Sequence, residues 1–100
     1  MTNNVEQLHE STVVARGEGI LRICGERLSV IHFCEDDEQI TLADCKAMAD
    51  EQGYDEENDM PLLVVAEYPT KGAVYKHGNH LSSRGKRYIW EKVGETCGYA

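Results

Sequence analysis

Leu62 to Tyr68, Leu-Leu-Val-Val-Ala-Glu-Tyr, is the most apolar run in this 100-residue chain, and the only two prolines, Pro61 and Pro69, fence it. Both of its faces are apolar until Glu67, the pattern of a strand covered on two sides. The run is therefore expected to be the central strand of a sheet, and the other segments must be arranged as its neighbours.

Several shorter runs supply those neighbours. Ser11 to Arg16 reads as a strand, followed by a Gly17-Glu18-Gly19 turn. Ile20 to Cys24 and Arg27 to Phe33 are β-rich and separated by Gly25-Glu26, which suits a type II′ hairpin turn. That turn pairs Cys24 with Arg27, Ile23 with Leu28 and Leu21 with Val30. Leu21, Ile23, Leu28 and Val30 then share the core face, and Arg22, Ser29, Cys24 and Arg27 share the other. Tyr68 to Gly72 is expected to turn, Ala73 to His77 to return as a strand, Gly78 to Lys86 to loop, and Arg87 to Val93 to close the sheet. Residues 1–10 carry few apolar side chains and read as a frayed lead-in.

One segment departs from this period. In Thr41 to Tyr54, Leu42, Cys45, Met48, Ala49 and Gln52 form a stripe at three- and four-residue spacing, which is helical. Thr41 is the N-cap, with Asp44 placed for a capping box. Gly53 suits a C′ position with φ > 0, after which Tyr54 packs back on Ala49. Asp50 and Glu51 lie in the last turn, where the helix dipole disfavours anions. The order β-β-β-α-β-β-β predicts a single α+β domain over residues 1–100. It has a mostly antiparallel sheet of about five or six strands, with the helix on one face.

Charge restricts the partners. The net charge is −8. Residues 35–59 hold eleven acids against Lys46, while residues 71–92 hold six bases against Glu91. The total argues against nonspecific binding to nucleic acid or an anionic membrane. No apolar stretch approaches the ~20 residues that span a bilayer. The N-terminus carries no basic region followed by an apolar run, so a cytoplasmic location is expected.

Candidate chemistry is dispersed. His32 and Cys34 are two apart in a strand and share its inward face. His77 and His80 have a spacing that lets two imidazoles converge across a turn. Cys97, Cys24 and Cys45 complete the set of possible metal ligands, without a paired C-x-x-C or an H-E-x-x-H. Asp55, Glu57 and Asp59 alternate like the first ligands of a calcium loop, but Met60 stands where glycine is needed and Ala66 where a bidentate glutamate belongs. Cys24 beside Arg27 is a thiol candidate with no base completing a catalytic set. There is no phosphate-binding glycine motif. The basic segment around Tyr88 and Trp90 could hold a phosphate backbone, but the charge of the whole chain opposes it.

The acidic band remains: Glu35, Asp36, Asp37, Glu38, Asp50, Glu51, Asp55, Glu56, Glu57 and Asp59. Such a band steers toward a basic protein surface. The expected function is a small acidic, non-enzymatic protein-binding module, an inhibitor or adaptor with no cofactor. The alternative is a small metal- or thiol-dependent enzyme with a dispersed site.

Overall fold

The computed structural model describes residues 7–69, 71–83 and 85–98. Its elements run β1 (Val13–Arg16), β2 (Gly19–Cys24), β3 (Ser29–Cys34), β4 (Gln39–Thr41), α1 (Leu42–Glu51), β5 (Leu62–Glu67), β6 (Lys71–Ser82) and β7 (Gly85–Cys97). Five strands form an antiparallel sheet in the order β3-β2-β5-β6-β7, and β1 pairs with β4 in a second, two-stranded sheet. With one helix, this is an α+β fold.

The apolar run takes the middle of the five-stranded sheet, bonded to β2 on one side and β6 on the other. Only one of its faces is covered. Leu62, Val64 and Ala66 are buried, whereas Leu63 is 40% exposed and Val65 half-buried. The buried face packs with Leu21, Ile23, Cys34 and Trp90 of the same sheet. Above them lie Val14 and Ala15 of β1, Ile40 of β4, and Leu42, Cys45 and Ala49 of α1. The Tyr68 hydroxyl links the two sheets, donating to the Val14 carbonyl (2.9 Å) and accepting from the Arg16 N–H (2.6 Å).

The helix forms as its sequence dictates. Asp44 N–H donates to Thr41 Oγ1 (3.2 Å), and Thr41 N–H donates to Asp44 Oδ2 (2.9 Å), so aspartate does reach back to close the capping box. At the other end, Gly53 has φ +89°, its N–H donates to the Asp50 carbonyl, and the Tyr54 N–H donates to the Ala49 carbonyl. This is the bonding of a Schellman cap. Lys46, one turn back, donates to both oxygens of Asp50 (3.0 and 3.1 Å) and so offsets the anion at the dipole's negative end.

Three expectations need correction. The β2–β3 register is displaced by two residues: Cys24 lies opposite Ser29, Ile23 opposite Val30 and Leu21 opposite His32. The Gly25 N–H bonds to the Leu28 carbonyl across a four-residue loop, and Gly25 is not among the glycines with positive φ. The type II′ turn is therefore absent, yet the core face survives, because an even shift leaves every side chain on its side of the sheet. Residues 78–82 and 85–86 are strand rather than loop. Pairing with the partner strand overrides the poor strand propensity of glycine, asparagine and serine. Gly78 fits there because a Cβ at that position would press on the Pro61 ring at 3.2–3.3 Å. Finally, Gln39–Thr41 is a short strand that pairs with β1, so the connection into the helix is not plain loop.

Gln7 to Glu10 are tied down: the Leu8 N–H bonds to the Trp90 carbonyl (2.8 Å), and Arg87 donates to Gln7 Oε1 (2.9 Å). The rest of the expected frayed lead-in (residues 1–6), Thr70 of the expected turn, Arg84 of the basic segment and residues 99–100 lie outside the described residues.

Candidate functional site

The ten acids do not form one band. The β3–β4 turn carries Glu35 to Glu38 before α1, and the loop after α1 carries Asp55 to Asp59. The ten-residue helix separates them by roughly 15 Å along its axis.

The second group is largely engaged within the fold. Arg27 Nη2 bonds Asp59 Oδ1 at 2.7 Å, and Asp59 Oδ2 accepts the Asp55 N–H at 2.9 Å. Asp55 accepts from the Glu57 N–H (3.0 Å) and from Asn58 Nδ2 (2.7 Å). These bonds hold Asp55 and Asp59 below the usual carboxylate range, Asn58 acting most on the first and Arg27 most on the second. The alternating acids that resemble a calcium loop thus staple a turn to the β2–β3 hairpin. Glu56 lies 3.8 Å from Lys46 and 3.9 Å from His77. Asp50 is held by Lys46, and Glu51 and Glu57 are exposed.

Glu35, Asp36 and Asp37 are exposed and stand beside an apolar surface. Strand alternation puts Ile31 and Phe33 of β3, Ile20 of β2, and Leu63 and Val65 of β5 on the sheet face turned away from α1. Phe33 is 70% exposed and Ile31 51%. At the end of β3 an open groove of about 610 Å³ is lined by Ile20 and Phe33 and by Glu18, Glu35, Asp36 and Asp37. The basic β6–β7 ribbon sits toward the opposite edge, about four strand spacings or roughly 19 Å away. Among the described residues, no lysine or arginine of 71–92 pairs with an acid of 35–59. The acids of the β3–β4 turn are thus separated in space from the basic ribbon, whereas Glu56 of the second group lies against His77 of β6.

On the other face, His32 and Cys34 lie side by side as their spacing implies, and the turn brings Glu38 to them. His32 Nε2 is 2.8 Å from Glu38 Oε2, and Glu38 Oε1 accepts the Glu35 N–H at 3.0 Å. The Glu35 N–H bond, then the His32 bond, depress the Glu38 carboxyl, while burial pushes the Cys34 thiol up.

His77 and His80 do not converge. Both belong to β6, and an odd spacing in a strand sends them to opposite faces. His77 is 6% exposed and His80 is exposed. His77 borders a cavity of about 460 Å³ between α1, β7 and residues 7–10, with Glu56, Lys46, Tyr88 and Trp90 also in its wall. The Tyr54 hydroxyl lies 3.5 Å from His77 Nδ1, a long contact, and burial lowers the imidazole pKa. No cysteine, serine or threonine lines this cavity among the described residues.

The four cysteines occupy different surroundings, from buried (Cys34, Cys45) to exposed (Cys97). Cys24 faces Ser29 rather than Arg27. Cys45 is buried under α1, and desolvation pushes its pKa up to about 12. Trp90 is buried in the core and so cannot stack on a base. No helix among the described residues is long and apolar enough to cross a membrane. No family model, curated protein or solved structure matches the chain.

Proposed function

We propose that this protein is a non-enzymatic binding module, an inhibitor or adaptor that docks a basic segment of another protein at the end of β3. The observation that carries this reading is Phe33, 70% exposed beside four carboxylates. An exposed aromatic among charges forfeits burial energy in the free chain and recovers it when covered, the behaviour of a binding anchor. Ile31 and Ile20 extend the apolar centre, and Glu18, Glu35, Asp36 and Asp37 form its rim.

Charge complementarity selects the occupant. A lysine or arginine lays its aliphatic stem along Phe33 while its head meets the rim. The rim supplies association rate and specificity, and the apolar centre supplies residence time. Nucleic acid is disfavoured by the same acids. Four unpaired cysteines suit a reducing compartment, which supports the cytoplasm as the site of action.

A fluorescent peptide of alternating arginine and valine serves as the probe for anisotropy titrations. Asp36→Lys with Asp37→Lys should weaken binding strongly, and more so in low salt, since the Debye length falls from about 10 Å at 0.1 M to about 3 Å at 1 M. Asp55→Lys with Glu57→Lys should weaken it less. If the loop variant loses more affinity than the turn variant, the docking surface is not the end of β3.

A further inference from the structure

We infer that His32, Cys34 and Glu38 form a binding site for one zinc ion, with three protein ligands and a fourth position open to solvent. This inference does not rest on the docking reading, because it stands on the ligand atoms of His32, Cys34 and Glu38, although Cys34 and the β3–β4 turn also border the docking groove.

Three separate features of the chain bring the ligands together. The two-residue pleat of β3 sets His32 and Cys34 side by side. The β3–β4 turn, closed by the Glu38 N–H donating to the Glu35 carbonyl (3.1 Å), carries Glu38 back over them. The Glu35 N–H then holds Glu38 Oε1, which leaves Oε2 directed at His32. One ligand atom from each of the three residues lies within 4.8 Å of the other two.

That spacing can be compared with what zinc requires. Bonds of about 2.0–2.2 Å to nitrogen or oxygen and about 2.3 Å to sulfur place tetrahedral ligand atoms roughly 3.3–3.6 Å apart. The His32–Glu38 contact, at 2.8 Å, has to open by about half an ångström. The sulfur has to move in by at most about 1.2 Å, within reach of a χ1 adjustment. The donor set is imidazole, thiolate and carboxylate. Calcium and magnesium take oxygen ligands and would reject the sulfur, whereas zinc takes all three donors. Access is graded: His32 and Glu38 are each about one-third exposed, while Cys34 lies inside. An ion can therefore enter from solvent and end against the core. On binding, the sulfur–hydrogen bond of Cys34 breaks, its proton leaves to solvent and a zinc–sulfur bond forms. The ion would clamp the acidic turn onto its strand.

The test uses the full chain, reduced and stripped of metal by a chelator. Cobalt(II) is added as the spectroscopic probe, followed by zinc. The expected result is thiolate-to-cobalt charge-transfer absorption that saturates at one equivalent and is bleached by zinc. Cys34→Ser should abolish the band, and the double variant Cys24→Ser, Cys97→Ser should keep it. His32→Gln and Glu38→Gln, both at partly exposed positions, should each weaken zinc binding by more than the roughly 10–100-fold typical of losing an outer partner. If Cys34→Ser fails to fold, these two variants decide the matter. Absence of the band at one equivalent, its persistence in Cys34→Ser, or unchanged zinc affinity in Glu38→Gln would overturn the proposal. The 2.8 Å contact would then be a hydrogen bond and nothing more.

Discussion

Placing a carboxylate at each of two adjacent positions of β5 tests whether the main sheet is covered on one face only. Val64 has no exposed surface, and its cross-strand neighbours are Ile23 and Tyr75. Val64→Asp forfeits about 1.5–3 kcal/mol of side-chain burial. It also inserts an unpaired polar group, at a cost of roughly 2–7 kcal/mol. The sum is about 4 kcal/mol or more, against a total stability of about 5–15 kcal/mol for a domain. At about 4–8 °C per kcal/mol for a chain of this size, the melting temperature should fall by at least ~15 °C. Val65, one residue on, points to the open face, where Arg22 and Val74 are its cross-strand neighbours. There a carboxylate reaches water and an opposite charge, so Val65→Asp should cost no more than about 1 kcal/mol, the span of strand propensity. Far-ultraviolet circular dichroism melts and urea titrations of both variants measure the difference. Equal and severe losses would mean that both faces are buried, and two melts like the wild type would remove β5 from the centre.

Two further predictions follow from local geometry. Gly53→Ala should cost about 1 kcal/mol in urea unfolding, since φ is +89° with nothing near the added methyl, while Gly25→Ala meets only side-chain atoms of Leu28 and Leu62 and should cost less. His77 has a folded pKa below its unfolded value because burial outweighs Glu56 and Asp50, which favour the charged ring, while Lys46 opposes it. The unfolded chain therefore binds the extra proton, and the His77 contribution to stability should be intact above about pH 6.5 and fall as pH drops below it. Its slope can reach roughly 1.4 kcal/mol per pH unit, and it should be missing from the same measurement on His77→Gln.

Much of this fold was legible because local signals agreed. The helix announced itself through Thr41, its buried stripe and Gly53, and the central strand through an apolar run between prolines. The core face of β2 and β3 could be read despite a wrong register, because alternation identifies a face and only the loop fixes the pairing. Residues 78–82 and 85–86 misled because their strand is imposed by a partner eleven residues or fewer away and not by their own propensity. The same error made His77 and His80 look like a converging pair.

At the candidate sites, the His32–Cys34 pairing was readable from strand period. Glu38 joins it through a turn whose closure no periodicity encodes. Composition alone grouped ten acids, but the structure sets Glu35, Asp36 and Asp37 exposed beside Phe33, turns Glu38 to His32, leaves Asp50 and Glu51 on α1 and bonds Asp55 and Asp59 into the loop that follows. The exposure of Phe33, the proposed anchor, was not read from the sequence. Its signal was an aromatic on the polar-side register of β3, next to the acid run.

The most direct test of the central claim is a nitrogen-15 correlation titration of the full chain with the arginine–valine peptide, beside a control in which glutamate replaces arginine. Docking at the end of β3 should give saturable shifts concentrated at Ile20, Ile31, Phe33 and Glu35 to Asp37, abolished in Phe33→Ser with the melt unchanged, and no shifts from the acidic control. Shifts centred on Asp55 to Asp59 or on the β6–β7 ribbon would contradict it, as would equal binding of both peptides or an unliganded chain that already buries Phe33 against a second copy.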